Sequence, residues 1–198
     1  MDIVAGPNMC GSGASLGGPP GAGAAWSNPG YIAASGAATS AALNCYSNYL
    51  SASNFGFAIP AGATIYGVFV EASLKAQYAS QDNDYSVNLY LPTYFAETHD
   101  DNARPTQKWP SSYTTRSWGG VTLGAGATTW GWTAAQLLHD VNLSGFSVVI
   151  SVQNPAGSPC LAYIDWVRMS IGYTILEKFD SVACTEINGV LPVKFDGV

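Results

Sequence analysis

The sequence predicts a mostly-β protein: an antiparallel β-sandwich, jelly-roll-like, with one short helix and extended N- and C-terminal arms. Three observations carry this. Apolar residues recur with period two over several segments, as in half-buried strands. Gly, Pro, Asn and Asp cluster between those segments, where the chain must turn. Only one stretch, Thr133 to Asp140, joins a capping residue to a run of helix formers.

Residues 1–40 are dominated by Gly, Ala, Ser and Pro, with GASLGGPPGAGAAW at their centre. Such a block has little to bury, and Pro interrupts both strand and helix ladders. It reads as a flexible tail or as an extended arm lying across a neighbouring subunit. Residues 41–176 read as the sandwich and residues 177–198 as a C-terminal tail or an added edge strand.

Within the sandwich, Ala41 to Ala52 has the mixed polarity of an edge strand. Thr64 to Tyr78 is too long for a simple strand, and Gly67 marks a bulge or a close approach. Gln81 to Asp84 is a turn. Tyr85, Val87, Leu89 and Leu91 then alternate on one face. Pro92 to Pro110 reads as a loop, and Ser112 to Trp118 as a strand ended by Gly119 and Gly120. Phe146, Val148, Ile150 and Val152 alternate again. In Leu161 to Ile175 the apolar parity changes after Trp166, which predicts a bulge.

The chain has 198 residues, enough for one domain with a real core. Its charged content is 10%, against roughly 25% in ordinary soluble domains. A surface this poor in charge suits a subunit covered by its neighbours, or a secreted domain with a Ser/Thr/Asn skin. The formal net charge is −6, and the seven Lys and Arg residues are scattered. Direct nucleic-acid binding is therefore not expected, nor an electrostatic hold on a membrane. No apolar run reaches the ~18 residues that span a bilayer. The opening MDIVAGPNMCGSG lacks a basic, then apolar, leader pattern, so synthesis and folding in a cytoplasm are expected. Cys10, Cys45, Cys160 and Cys184 have no metal-site spacing. They read as buried free thiols, with a disulfide formed after release as the alternative.

Several phrases occur in a recognisable order. These are Trp26-Ser27-Asn28-Pro29-Gly30, the run from Tyr49 through Asn54-Phe55-Gly56-Phe57 and Pro60 to Val68, Gly119-Gly120, Thr129 to Thr133, Gly145 to Val148, and Ala162 to Val167. Together they resemble a family of tailed-phage and prophage proteins built on a jelly-roll-like domain. The resemblance covers Trp26 to about Tyr173. It implies a virion structural component: a capsid cement or decoration protein, or a tail or fibre domain. It carries no catalytic residue. Trp26, Asn28, Pro29, Asn54, Phe55, Gly56, Phe57, Pro60, Gly67 and Asp165 are read as architectural, Asp165 as the holder of a loop backbone.

No constellation for catalysis is expected. There is no G-x-S-x-G elbow, and a depolymerase lacks a supporting carboxylate pair. His99, beside Asp100 and Asp101, reads as a solvated loop, and His139 as a cation at a helix C-terminus. Asp82 and Asp84 read as a hydrated turn, with Ca²⁺ as the sharper alternative; no cofactor is expected. The aromatics Trp109, Tyr113, Trp118, Trp130 and Trp132 are the candidate contact for a partner or a glycan, against the bland alternative of core packing. The expectation is a non-enzymatic virion protein, a cement or decoration subunit acting as a homotrimer on a major capsid protein. The alternative is a tail-fibre or spike domain that binds host glycan.

Overall fold

The computed structural model describes residues 1–17, 23–36, 39–43, 46–94, 102–104, 106–124, 126–156 and 159–175, with the backbone alone for 39–43. The strands are β1 (Asp2–Met9), β2 (Ser12–Leu16), β3 (Trp26–Ser27), β4 (Thr39–Leu43), β5 (Tyr49–Ser53), β6 (Ala63–Ala76), β7 (Asn83–Tyr90), β8 (Thr114–Gly120), β9 (Ser147–Gln153) and β10 (Cys160–Ile175). They form two antiparallel sheets. A six-stranded sheet runs β3-β4-β10-β6-β8, with β1 also paired to β10. A four-stranded sheet runs β2-β5-β9-β7. Apart from the β3–β4 pair, every connection between successive strands passes from one sheet to the other.

The core is the space between the sheets. Val68, Val70, Ala72 and Leu74 of β6 and Val167, Met169 and Ile171 of β10 fill it from one side. Val87, Leu89, Val148, Ile150 and Leu50 fill it from the other. At roughly 25 cal/mol per Å² of apolar surface, this burial is the main stabilising term. The expected parity change in β10 is a bulge at Asp165, where the pairing with β6 shifts between Ile164 and Trp166. It keeps Ile164 and Val167 both pointing inward. A second shift lies opposite Gly67. A Cβ on Gly67 would sit 2.3 Å from the Gly120 carbonyl oxygen, so only glycine lets β6 and β8 meet there.

The one α-helix among the described residues, α1 (Ala134–Asp140), opens on a capping box. Thr133 Oγ1 accepts from the Gln136 N–H, and the Gln136 side chain accepts from the Thr133 N–H at 3.0 Å.

Two expectations need correction. The Gly/Ala/Pro-rich opening is not wholly an arm: β1 pairs with β10 from Asp2 to Met9, and β2 pairs with β5 from Ser12 to Leu16. Small residues are needed there for contact. A Cβ on Gly13 would lie 2.1 Å from the Pro29 carbonyl oxygen. The segment Ala41 to Ala52 is not one edge strand either. It contributes to β4 and then to β5, an inner strand between β2 and β9. Residues 177–198, Cys45, Cys184 and the His99-Asp100-Asp101 triplet lie outside the described residues.

The motif residues read as architectural sit at chain reversals and in the core. Trp26 is buried and donates from its indole to the Asn48 carbonyl at 2.9 Å. Asn28, in the left-handed region at φ 53°, precedes a 3-10 turn that opens on Pro29. Asn54 and Gly56 also have positive φ, and between and after them Phe55 and Phe57 bury stacked rings. The Pro60 carbonyl accepts from the Ala63 N–H as the chain enters β6.

Candidate functional site

The tryptophan-rich segment is not a surface. Trp109, Trp118 and Trp130 are at most 1% exposed and Trp132 is 4% exposed. They are core, for a reason that local spacing does not reveal: β7 delivers a buried carboxylate to them. Asp84 stands opposite Val152 and points inward, and a bulge in the β7–β9 pairing follows it. Its Oδ1 accepts from the Trp109 indole at 2.8 Å and from Arg116 at 3.2 Å. Its Oδ2 accepts from the Trp118 indole at 2.9 Å and from the Arg104 backbone N–H at 3.1 Å. Arg116 also donates to the Gln107 and Lys108 carbonyls. Because Asp84 belongs to one sheet and Arg116 and Trp118 to the other, this cluster clamps the two sheets together. The Trp130 indole donates to the Val68 carbonyl.

Asp82 is buried as well, so neither carboxylate of this pair stands on an exposed turn. Its Oδ2 accepts from the Cys160 thiol at 3.2 Å, and its Oδ1 has no partner among the described residues. Burial raises the Asp82 pKa, against smaller opposing effects of the Cys160 hydrogen bond and the Lys108 charge. Burial and the adjacent carboxylate raise that of Cys160. Cys10 is likewise a buried free thiol, and burial pushes it up to about 11. Both thiols are thus held protonated and poorly nucleophilic. Among the described residues no group of three or more His, Cys, Asp or Glu is placed to hold a metal. His139 sits in the last turn of α1, with Nδ1 2.7 Å from the Asp140 carboxylate and its side chain 58% exposed. Asp140 itself is buried and accepts from the Thr93 N–H.

Of the aromatics singled out by the sequence, only Tyr113 is exposed, at 40%. It immediately precedes β8, on the outer face of the six-stranded sheet, and it has company there. Tyr163 of β10 is directly opposite Lys75 of β6. The Lys75 ammonium lies 4.5 Å from the Tyr113 ring centre and 4.9 Å from that of Tyr163. One row along, Trp166 pairs with Ser73, and Ser73 with Thr115. In the next row Arg168 pairs with Glu71 and makes a two-pronged ion pair with it, at 2.9 and 3.2 Å. The Arg168 guanidinium also covers part of the Trp166 ring, at 4.8 Å. Asp165, in the bulge that turns Trp166 outward, accepts from the Gly36 N–H at 2.9 Å. The signal for this surface was present in the sequence as the alternation of Glu71, Ser73 and Lys75 with Val70, Ala72 and Leu74. The half of it on β10 was hidden by the bulge.

The outer face of the four-stranded sheet is the opposite in character. Its outward residues include Ser12, Ala14 and Leu16 of β2, Tyr49, Ser51 and Ser53 of β5, Ser147, Val149 and Ser151 of β9, and Ser86, Asn88 and Tyr90 of β7. The one charged residue in these four strands is Asp84, which points inward. Toward β2 the face is open: Ser12, Ala14 and Leu16 are exposed. Toward β9 its serines are buried.

Comparison of the chain with protein-family models, with curated proteins and with solved structures finds no match.

Proposed function

We propose that this chain is a non-catalytic structural subunit of a tailed-phage virion, in the first instance a capsid cement or decoration protein. The virion assignment comes from the order of its motifs, and the mode of action comes from the sandwich. The observation that carries the proposal is the exposed, uncharged β2 side of the outer face of the four-stranded sheet, where Ser12, Ala14 and Leu16 meet solvent; toward β9 and β7 that face is buried. A sheet face exposed to water is normally studded with charge, and so is an edge strand, because both otherwise invite pairing with another chain. Here the edge strand β2 reads Ser-Gly-Ala-Ser-Leu, without a charge or a proline to guard it. Loss of charged residues is also the compositional mark of the centre of a protein interface.

In this reading the β2 side of that face seats the subunit against copies of itself and against a major capsid protein. A partner that binds only the assembled lattice stabilises it by its own binding free energy. The test is immunogold labelling of purified particles carrying either the natural chain or Ala14→Lys. Ala14 is exposed, so the substitution spares the core while adding a charge to the face. Label spread over the heads, lost with the Ala14→Lys chain while its circular dichroism is unchanged, is the expected result. Label confined to the tail tip, or equal labelling by both chains, overturns the proposal.

A further inference from the structure

We infer that the outer face of the six-stranded sheet is a saccharide-binding surface, with Trp166 and Tyr113 as its stacking platforms and Lys75, Glu71 and Arg168 as its hydrogen-bonding groups. The inference goes beyond the assembly role and uses the face opposite to it. It also differs from the glycan contact expected of Trp109, Trp118, Trp130 and Trp132, which the core absorbs.

The argument is one of chemical matching. The apolar side of a sugar ring is a flat array of C–H bonds, which packs on an aromatic face. Its hydroxyls need donors and acceptors at the rim of that face. This surface offers both, row by row across three strands. Tyr163, Lys75 and Tyr113 form one row, and with strands about 4.8 Å apart the two tyrosines stand roughly 10 Å from each other. Trp166 lies in the next row, braced on one side by Arg168.

Charge selects against the other occupants. Arg168 and Glu71 neutralise each other, and the Lys75 ammonium rests between two rings. The surface is thus close to neutral while rich in polar groups, which complements a neutral polyhydroxylated ligand. A nucleic acid would need a run of cations.

Of the six tryptophans, Trp166 alone is appreciably accessible to water, since the other five are at most 4% exposed. Ligand-induced changes in indole emission therefore report on the proposed site. The experiment titrates the full chain with a panel of purified neutral bacterial surface polysaccharides, following tryptophan emission and its quenching by acrylamide. At least one polymer is expected to protect the quenchable fraction. Trp166→Ala and Tyr113→Ala should each weaken its binding by about tenfold, and Trp166→Tyr should restore part of it. No protection by any polymer of the panel overturns the inference. Binding unchanged in both alanine variants does so too, as does a face that instead captures a virion protein in a Trp166-dependent way. Neither absent protection nor unchanged binding bears on Ala14 or on particle labelling, so the failure of the saccharide surface is distinguishable from that of the assembly role.

Discussion

Asp84 is the residue on which the most structure depends. A buried carboxylate is costly unless its charge is met, and here two indoles, a guanidinium and a backbone N–H meet it. Replacing it by Asn keeps the volume but turns an acceptor into a donor facing other donors, and leaves Arg116 without its counter-charge. Asp84→Asn should therefore cost about 3 to 5 kcal/mol, read as a lower urea midpoint at unchanged slope. Asp82 behaves in the opposite sense. Burial raises its pKa above the ordinary 3.8, so the folded chain holds its proton more tightly than the unfolded one does. Its contribution to stability is fully present below pH 3.8 and declines as pH rises through the raised folded value. The variant Asp82→Asn, which carries no such charge, should be more stable than the natural chain at neutral pH. The gap should close on acidification, and thermal melts across that range measure it. A gap that widens toward acid would show that the Cys160 and Lys108 contacts outweigh burial.

At the scale of elements, what was legible followed period and punctuation. The strands from Thr64, Tyr85, Ser112, Phe146 and Leu161 onward stand close to where alternation puts them, and the helix starts at the cap residue Thr133. What failed was long-range. Nothing local announces that Gly13 must clear the Pro29 carbonyl, so a segment poor in side chains read as an arm although two strands lie in it. Nothing local announces that Asp84 lies beside tryptophans 25 and 34 residues further on, so the sequence leaves those rings open between core packing and a partner or glycan contact. The bulge at Asp165 shows a middle case. Its existence was legible from the parity change, but the neighbours it gives Trp166 were not. One consequence belongs to this scale. With β1 laid along β10 from Arg168 to Thr174, its backbone is inaccessible to a protease active site until the pairing opens. Limited proteolysis of the free chain should spare residues 2–9 at protease levels that cut an unstructured peptide of the same sequence. Deletion of those residues should lower the melting temperature by several degrees or abolish a single transition.

The molecule as a whole has two unlike faces, and the difference decides how it should associate. Glu71, Lys75 and Arg168 lie on the outer face of the six-stranded sheet, whereas the outer face of the four-stranded sheet carries no charge. Association through the charged face would rest in part on ion pairs, which salt screens with a Debye length of about 10 Å at 0.1 M. Association through the uncharged face would rest on apolar burial and on hydrogen bonds along the β2 edge, which salt leaves intact or strengthens. Sedimentation velocity of the purified chain should therefore show a concentration-dependent oligomer, a trimer in the proposed arrangement, that persists in 1 M salt. The Ala14→Lys chain should sediment as a monomer at the same concentration, because the added ammonium must be desolvated at the contact. Trp166→Ala should leave the oligomer unchanged, because its side chain lies on the other sheet. If high salt dissolves the oligomer and Trp166→Ala abolishes it, the two faces have the reverse roles, and the aromatic rows hold the assembly together.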